Sequence, residues 1–463
     1  MGKAKKSLES IKTGVVARSA SLTSLAIKSG FRIASAKLKG GDPSPQAMEE
    51  VFRSNAAYVV KELGRLKGSA MKMGQSLAVI GEHFFSKEVA SILRNLNQDS
   101  EALSWQPIEA TLKRSLGSKV FEELVVDQDS FAAASLGQVH LAQVKKTGQK
   151  VCVKVQYPGV AKSIDSDLKT LKSILKIARI LPQSSSKTDQ IFEEVRAMLK
   201  MEVDYLREAK NMAGFRDWLS KDERYRVPDY LPDFSSRVVL TTSFEEGVGF
   251  DSPSVAALPL ERRVAVSSHY TELFLRELFE YRAVQSDPHF GNYKLKLDDK
   301  EGRDVLVLLD FGAVRRFSKP FIKSYYQLLW GAFSHDTALI EKGGKGIGFL
   351  LDSDSKELIE KFCDFCFLVI EPWLAQTDKR ANQKFYDERG YYCWHATDLP
   401  KRLQVEGRKL AVQFRFRLPP REVVFLDRKL AGVFTALKIL AAPFDAHALM
   451  EKVLGGLDLS ASA

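Results

Sequence analysis

Between residue 46 and about Gly117 the apolar positions, among them Val51, Ala57, Val60, Leu63 and Leu66, recur mostly at steps of three and four. That spacing predicts helices and gives no strand-like alternation. The period changes after Phe121. Residues 131–142 set a small-residue turn between alternating flanks, and Val151, Val153 and Val155 alternate with other residues across 149–156, which predicts strands. Helical spacing returns over residues 161–180 and again in one longer run from about Asp189 to Leu219. A strand follows at residues 237–244, a helix at 261–282, and a buried strand at 305–309, where Val-Leu-Val-Leu-Leu is β-branched and leucine-rich. From Phe321 onward the pattern is helical again.

These changes of texture divide the chain. Residues 40–45, Gly-Gly-Asp-Pro-Ser-Pro, read as a linker because two prolines and two glycines deny any regular element. The expected organisation is a tail over 1–40, a helical extension over 41–117, a strand-containing unit over 118–245 and a mostly helical unit over 246–463. Glu245-Glu246-Gly247 is the expected hinge between the last two.

Composition alters this picture little, and charge alters it more. The 463 residues are 45% hydrophobic and 27% charged, as in an ordinary globular protein. Four cysteines in so long a chain make no disulfide framework and suit a reducing compartment. Cys363 and Cys366 form one Cys-x-x-Cys, read as packing on an apolar helix because no second pair exists. Glu371 and Lys438 interrupt the longest apolar stretches, so neither reaches the ~18 residues of a spanning helix. Residues 1–40 hold nine Lys/Arg and one acid, Glu9, which is +8 of the formal +11 and leaves +3 for all the rest. Leu8, Ile11, Val15, Leu22 and Leu25 recur there at helical spacing among lysines and serines. An anionic membrane surface, a solvated tail, a nucleic-acid contact and an organelle transit peptide all fit that segment.

The candidate chemistry gathers in residues 285–312. Gln285-Ser286-Asp287-Pro288-His289-Phe290-Gly291-Asn292 precedes the apolar strand, and Asp310-Phe311-Gly312 follows it. Asn292 and Asp310 offer two oxygen ligands from separate loops, which would hold Mg²⁺ while leaving places for water and phosphate. Asp287 is then free to orient an attacking hydroxyl or water. Asp-x4-Asn followed by Asp-Phe-Gly is the order of catalytic Asp, metal-binding Asn and metal-binding Asp in protein kinases. Upstream, Ala132, Ala133, Ala134 and Ser135 occupy the turn where a nucleotide-covering loop is usually glycine-rich, and Lys154 lies on the second strand after it. Three alanines should stiffen that loop. Glu208 is the expected ion-pair partner of Lys154, leaving Glu202 and Asp204, on the same long helix, for another cation. In residues 66–75 the small residues at 68, 69, 70 and 74 suit close helix contact, with Lys72 and Gln75 projecting a cation and an amide. No Ala-Pro-Glu follows Gly312 and no room remains for a long activation segment, so a platform for protein substrates is not expected.

Taken in order, these motifs resemble the UbiB-type family of atypical, protein-kinase-like ATPases, over roughly residues 45–455 and closest to its coenzyme-Q-linked branch. Phe131-Ala132-Ala133-Ala134-Ser135-Leu136-Gly137-Gln138-Val139-His140-Leu141-Ala142, Gln156-Tyr157-Pro158-Gly159-Val160 and the Arg-Lys-x-x-Gly-x-Phe of residues 428–434 carry the match. The resemblance implies an α+β, bilobal kinase-like fold with an added N-terminal helical domain bearing Lys-x-Gly-Gln. It implies Lys72 and Gln75 at the nucleotide pocket, Lys72 facing Glu202 and Asp204, Lys154 paired with Glu208, Mg²⁺ on Asn292 and Asp310, and Asp287 as the catalytic carboxylate. ATP and Mg²⁺ are the implied cofactors. An anionic membrane surface, an isoprenoid or quinone-like lipid and quinone-biosynthesis enzymes are the implied partners, and no nucleic acid is. The implied location is cytoplasmic and peripheral to a membrane, on the mitochondrial matrix side in a eukaryote. A nucleotide-binding scaffold without turnover, and a small-molecule or lipid kinase, are the alternatives. Two departures stand out: His289 occupies the place of a kinase lysine, and Gln285 replaces a histidine, which is expected to remove an anchor of the loop.

Overall fold

The computed structural model describes residues 72–74, 76–77, 102–134, 136–177, 186–287, 289–414 and 420–457. The basic tail 1–40, the linker, Gln75 and Ser135 therefore lie outside the described residues. The chain divides into two compact units, Met1–Ala213 with Asp229–Phe244, and Gly214–Pro228 with Glu245–Ala463.

The first unit is built on an antiparallel sheet. Its strands are β1 (Leu124–Val126), β2 (Ala132–Ala133), β3 (Gly137–Val144), β4 (Lys150–Gln156) and β6 (Val239–Ser243), in the order β1-β3-β4-β6 with β2 paired to β3. The short β5 (Tyr225–Arg226) belongs to the second unit. Alternation along β4 buries Val151, Val153 and Val155 completely. Successive side chains of a strand leave opposite faces, so Lys154 stands on the face away from those valines. Helix Trp105–Leu116 is tied to the sheet by Gln138, whose side chain accepts from Leu103 N at 2.9 Å and donates to Leu103 O at 3.3 Å. His140 completes the tie, with Nε2 2.9 Å from Gln138 Nε2 and Nδ1 2.8 Å from the Asp127 carbonyl oxygen. Burial pushes the His140 imidazole below its ordinary value, which suits the neutral ring those contacts require.

One expectation fails here. The long run from Asp189 to Leu219 is two helices, Ser186–Glu202 and Tyr205–Leu219. Gln156 Nε2 donates to the Val203 carbonyl at 2.6 Å, and Asp204 Oδ1 accepts from Arg207 N at 3.1 Å. The first contact engages a terminal carbonyl and the second satisfies an early N–H of the new helix, as an N-cap does. Helical periodicity is unaffected by such a break, which is why the pattern reads through it.

The second unit has two small sheets. Strand β7 (Ala283–Gln285) pairs antiparallel with β10 (Val314–Arg316), and β9 (Val305–Leu308) lies between β5 and β8 (Tyr293–Lys296). Helices Leu260–Phe279, Lys319–Phe333, Thr337–Gly346, Lys356–Ile370, Leu399–Gln413, Arg421–Leu440 and Ala446–Leu454 supply the rest. Strand β10 was not expected, since the sequence pattern runs almost directly from Gly312 into helix. Three residues are too short to show alternation, and pairing with β7 is what makes them a strand. Cys363 and Cys366 are both buried on their helix, and burial raises both thiols. Among the described residues no helix is long and apolar enough to cross a membrane.

Candidate functional site

In the first unit the lysine of β4 has a defined partner. Lys154 Nζ donates to Glu208 Oε1 at 2.8 Å and Oε2 at 3.0 Å. The Glu208 side chain is 2% exposed and that of Lys154 20% exposed, so the carboxylate is sequestered while the ammonium keeps a path outward. The Lys154 ammonium also lies 5.2 Å from the centre of the Tyr205 ring, within cation–π range. Because Tyr205 opens the helix that carries Glu208, both contacts reach Lys154 from one element.

The alanine turn folds onto β3. Phe131 N donates to Val139 O and Ala134 N to Gly137 O, both at 2.9 Å. Ala132 and Ala133 are exposed. Ser135 lies outside the described residues. Gly137 is the residue that the turn cannot exchange. A Cβ there would overlap the Val155 carbonyl oxygen and come within 3.0 Å of Tyr205 Oη. Since that carbonyl belongs to β4, which is paired on both sides, it cannot swing aside cheaply. Gly137→Ala is therefore expected to destabilise the first unit by about 1–3 kcal/mol, the usual range for overpacking. Thermal unfolding of the two proteins checks this, and an unchanged midpoint would mean that β4 yields freely.

Lys72 pairs with Glu202, Nζ to Oε1 3.0 Å. Asp204 is not brought to Lys72; it is exposed and caps the helix that follows. Glu202 and Glu208 are thus held apart by the helix break, each with its own lysine.

The second unit holds Asp287, Asn292 and Asp310. Asp287 Oδ1 accepts from His289 N at 3.2 Å, which turns the loop back on itself. Among the described residues no hydrogen bond is made to its other oxygen. His289 Nδ1 accepts from Gly291 N at 3.0 Å. Asn292 ends a short 3-10 turn at residues 290–292, and its carbonyl accepts from Leu309 N at 2.9 Å, which registers the loop against the end of β9. Asp310 Oδ1 accepts from Gly312 N at 2.8 Å. Phe311 is fully buried against Phe215, with ring centres 5.2 Å apart.

Gln285 corrects the expectation of a lost anchor. It is 1% exposed, and its side-chain amide donates to the Asp310 carbonyl. The amide joins the strand end that leads to Asp287 to the backbone of Asp310. Glutamine in a buried strand gives no periodic signal, so only the fold reveals this role.

The donor set suits a hard divalent ion. Among the described residues no cluster of three or more His, Cys, Asp or Glu side chains is placed to hold a metal. Any ion here relies on an amide, carboxylates, and oxygens from water or phosphate, which is how Mg²⁺ is usually held. Among the described residues the buried Nδ2 end of the Asn292 amide has no hydrogen-bond partner. Amide oxygen and nitrogen exchange places by a flip, so an unpartnered amide end can present its oxygen to a cation.

Residues 95–343 match the family model described as the ABC1 atypical kinase-like domain. The mitochondrial atypical kinase coq-8 of Caenorhabditis elegans is 31% identical over 403 residues, covering 86% of this chain and 51% of that protein. The mitochondrial atypical kinase COQ8B of Rattus norvegicus is 30% identical over 434 residues, covering 92% of this chain and 78% of that protein. This chain thus spans about half the length of the nematode relative. Among solved structures, the Rv3197-erythromycin complex from Mycobacterium tuberculosis aligns with a TM-score of 0.56 at 24% identity, over 89% of this chain and 98% of that one. That likeness speaks for an α+β kinase-like fold.

Proposed function

Because the chain belongs to the ABC1 atypical kinase-like family, in its coenzyme-Q-linked UbiB branch, we propose that it is an ATP-dependent, Mg²⁺-requiring enzyme supporting isoprenoid-quinone biosynthesis at a membrane surface. The observation that carries this reading is the Lys154–Glu208 pair, at 2.8 and 3.0 Å, which joins a strand downstream of the alanine turn to helix Tyr205–Leu219. An ammonium held by a buried carboxylate is the phosphate-binding device of kinase-like enzymes. In this reading Lys154 contacts the nucleotide phosphates, and the Lys72–Glu202 pair belongs to the nucleotide pocket with Gln75. Asn292 and Asp310 hold Mg²⁺, which supplies charge neutralisation of the phosphates when bound. Asp287 orients the attacking oxygen and accepts its proton as that oxygen bonds to the γ-phosphorus and the bond to the β-phosphate oxygen breaks. With water as the acceptor, the products are ADP, phosphate and a proton.

The proposal extends to location. The relatives named above are mitochondrial, and the basic segment 1–40 is assigned to contact with anionic lipid. A nucleotide-binding scaffold without turnover is the second reading. It is favoured by the Ala134 N–H, which is spent on Gly137 and not free for phosphate.

The test is phosphate release from ATP by the full chain, with and without Mg²⁺ and with vesicles of anionic lipid. Release that requires Mg²⁺, stops on chelation and rises with vesicles is expected. Tight ATP binding with no multiple turnover on any surface would replace the enzyme by the scaffold. Stoichiometric appearance of labelled γ-phosphate on a lipid or protein would make it a kinase instead.

A further inference from the structure

Behind the loop of residues 286–292 lies a wholly buried ammonium. Lys429, on helix Arg421–Leu440, is 1% exposed. Its Nζ donates to Tyr293 Oη at 2.7 Å and pairs with Glu277 Oε2 at 3.1 Å. Glu277, on helix Leu260–Phe279 and likewise inaccessible, accepts the Gln285 N–H at Oε2, 3.2 Å away. Gln285 comes two residues before Asp287, and Tyr293 comes one residue after Asn292. One cation therefore ties down both ends of the loop, one end through a carboxylate and the other through a phenol.

Stability alone is a poor explanation for such a group. Removing an ammonium from water costs several kcal/mol, and well-packed apolar residues in place of a buried ion pair are often neutral or stabilising. An apolar side chain lacks directed donors that fix two points at once. The Tyr293 hydroxyl oxygen accepts from Lys429 at 2.7 Å while Glu277 Oε2 takes the same ammonium at 3.1 Å. Through Gln285, whose amide holds the Asp310 carbonyl, the same clamp reaches the strand end that bears Asp310.

We propose that Lys429 is a positioning residue that holds the loop of Asp287 and Asn292 in register, acting through Tyr293 and Glu277 and touching neither ATP nor metal. The proposal rests on the reading of Asp287 as catalytic and Asn292 as a Mg²⁺ ligand. Residues that orient metal ligands at one remove typically affect metal affinity or activity by about 10–100-fold.

The experiment uses the full chain with Lys429→Met, Tyr293→Phe and the double variant Glu277→Gln/Lys429→Met. Tyr293→Phe deletes one hydroxyl and leaves the Lys429–Glu277 pair, so it decides the matter if Lys429→Met does not fold. The expected result is a fall in kcat of about 10–100-fold, an unchanged KM for ATP at saturating Mg²⁺ and a higher Mg²⁺ concentration for half-maximal rate. Amide exchange in residues 286–292 is expected to quicken. The double variant should regain thermal stability relative to Lys429→Met without regaining kcat, an outcome that a merely structural pair would not give. Folded Lys429→Met and Tyr293→Phe proteins with wild-type kcat, Mg²⁺ requirement and loop exchange would overturn the clamp. If the wild-type chain turns over no ATP, the functional reading fails, and loop exchange alone then judges the clamp: faster in both variants supports it, unchanged sinks it.

Discussion

Asp287→Asn is expected to lower ATP turnover by about 10²–10⁴-fold, the span covered by a positioned acid–base group. Asparagine keeps the shape of the side chain and can still accept the His289 N–H that now reaches Asp287 Oδ1 at 3.2 Å. The turn is therefore retained. What disappears is the carboxylate that orients the attacking oxygen and takes its proton. Since the Lys154–Glu208 pair lies in the other unit, the KM for ATP should stay within a few-fold of wild type. Phosphate release measured beside a thermal melt separates the two effects. Wild-type turnover in a folded Asp287→Asn protein would remove Asp287 from the chemistry.

Lys154→Met should act on stability and turnover together. It takes the Lys154 ammonium away from Glu208, whose side chain is 2% exposed. Removing one partner of a buried pair costs about 3–5 kcal/mol. Because Lys154 is itself one-fifth exposed, water partly screens the pair and the lower end of that range is expected. The double variant Lys154→Met/Glu208→Leu removes both charges and should recover most of the stability. It should recover none of the turnover, because the phosphate contact is still missing. Denaturant unfolding and phosphate release on all three proteins check both halves. A double variant as unstable as the single one would mean that the loss came from the ammonium–ring contact with Tyr205 and not from the broken ion pair.

Much of the fold was legible because its signals are local. Alternating valines mark β4, three- and four-residue steps mark the helices, and small residues mark the turn before β3. The boundary between helices 186–202 and 205–219 was not legible. Its cause is a long-range hydrogen bond from Gln156 to Val203, 47 residues away, joined to a cap at Asp204. A period of 3.6 carries no record of either. Strand β10 escaped for a related reason, since three residues become a strand only by pairing with β7.

The same division runs through the candidate site. By itself the sequence determined which chemical groups are present, and in what order: Lys72, an alanine turn, Lys154, clustered acids, Asp-x4-Asn and Asp-Phe-Gly. It also set the spacing within each loop, because covalent connection and turn residues settle that much. The sequence already pointed Glu202 and Glu208 to separate cations; only the tertiary structure decided that Asp204 caps a helix in place of facing Lys72, and that Gln285 serves as an anchor. It alone brought Lys429 to Tyr293 across 136 residues. Such pairings depend on which helix packs behind which loop, and burial makes them strict, since a buried donor or charge must find its partner wherever the fold provides one.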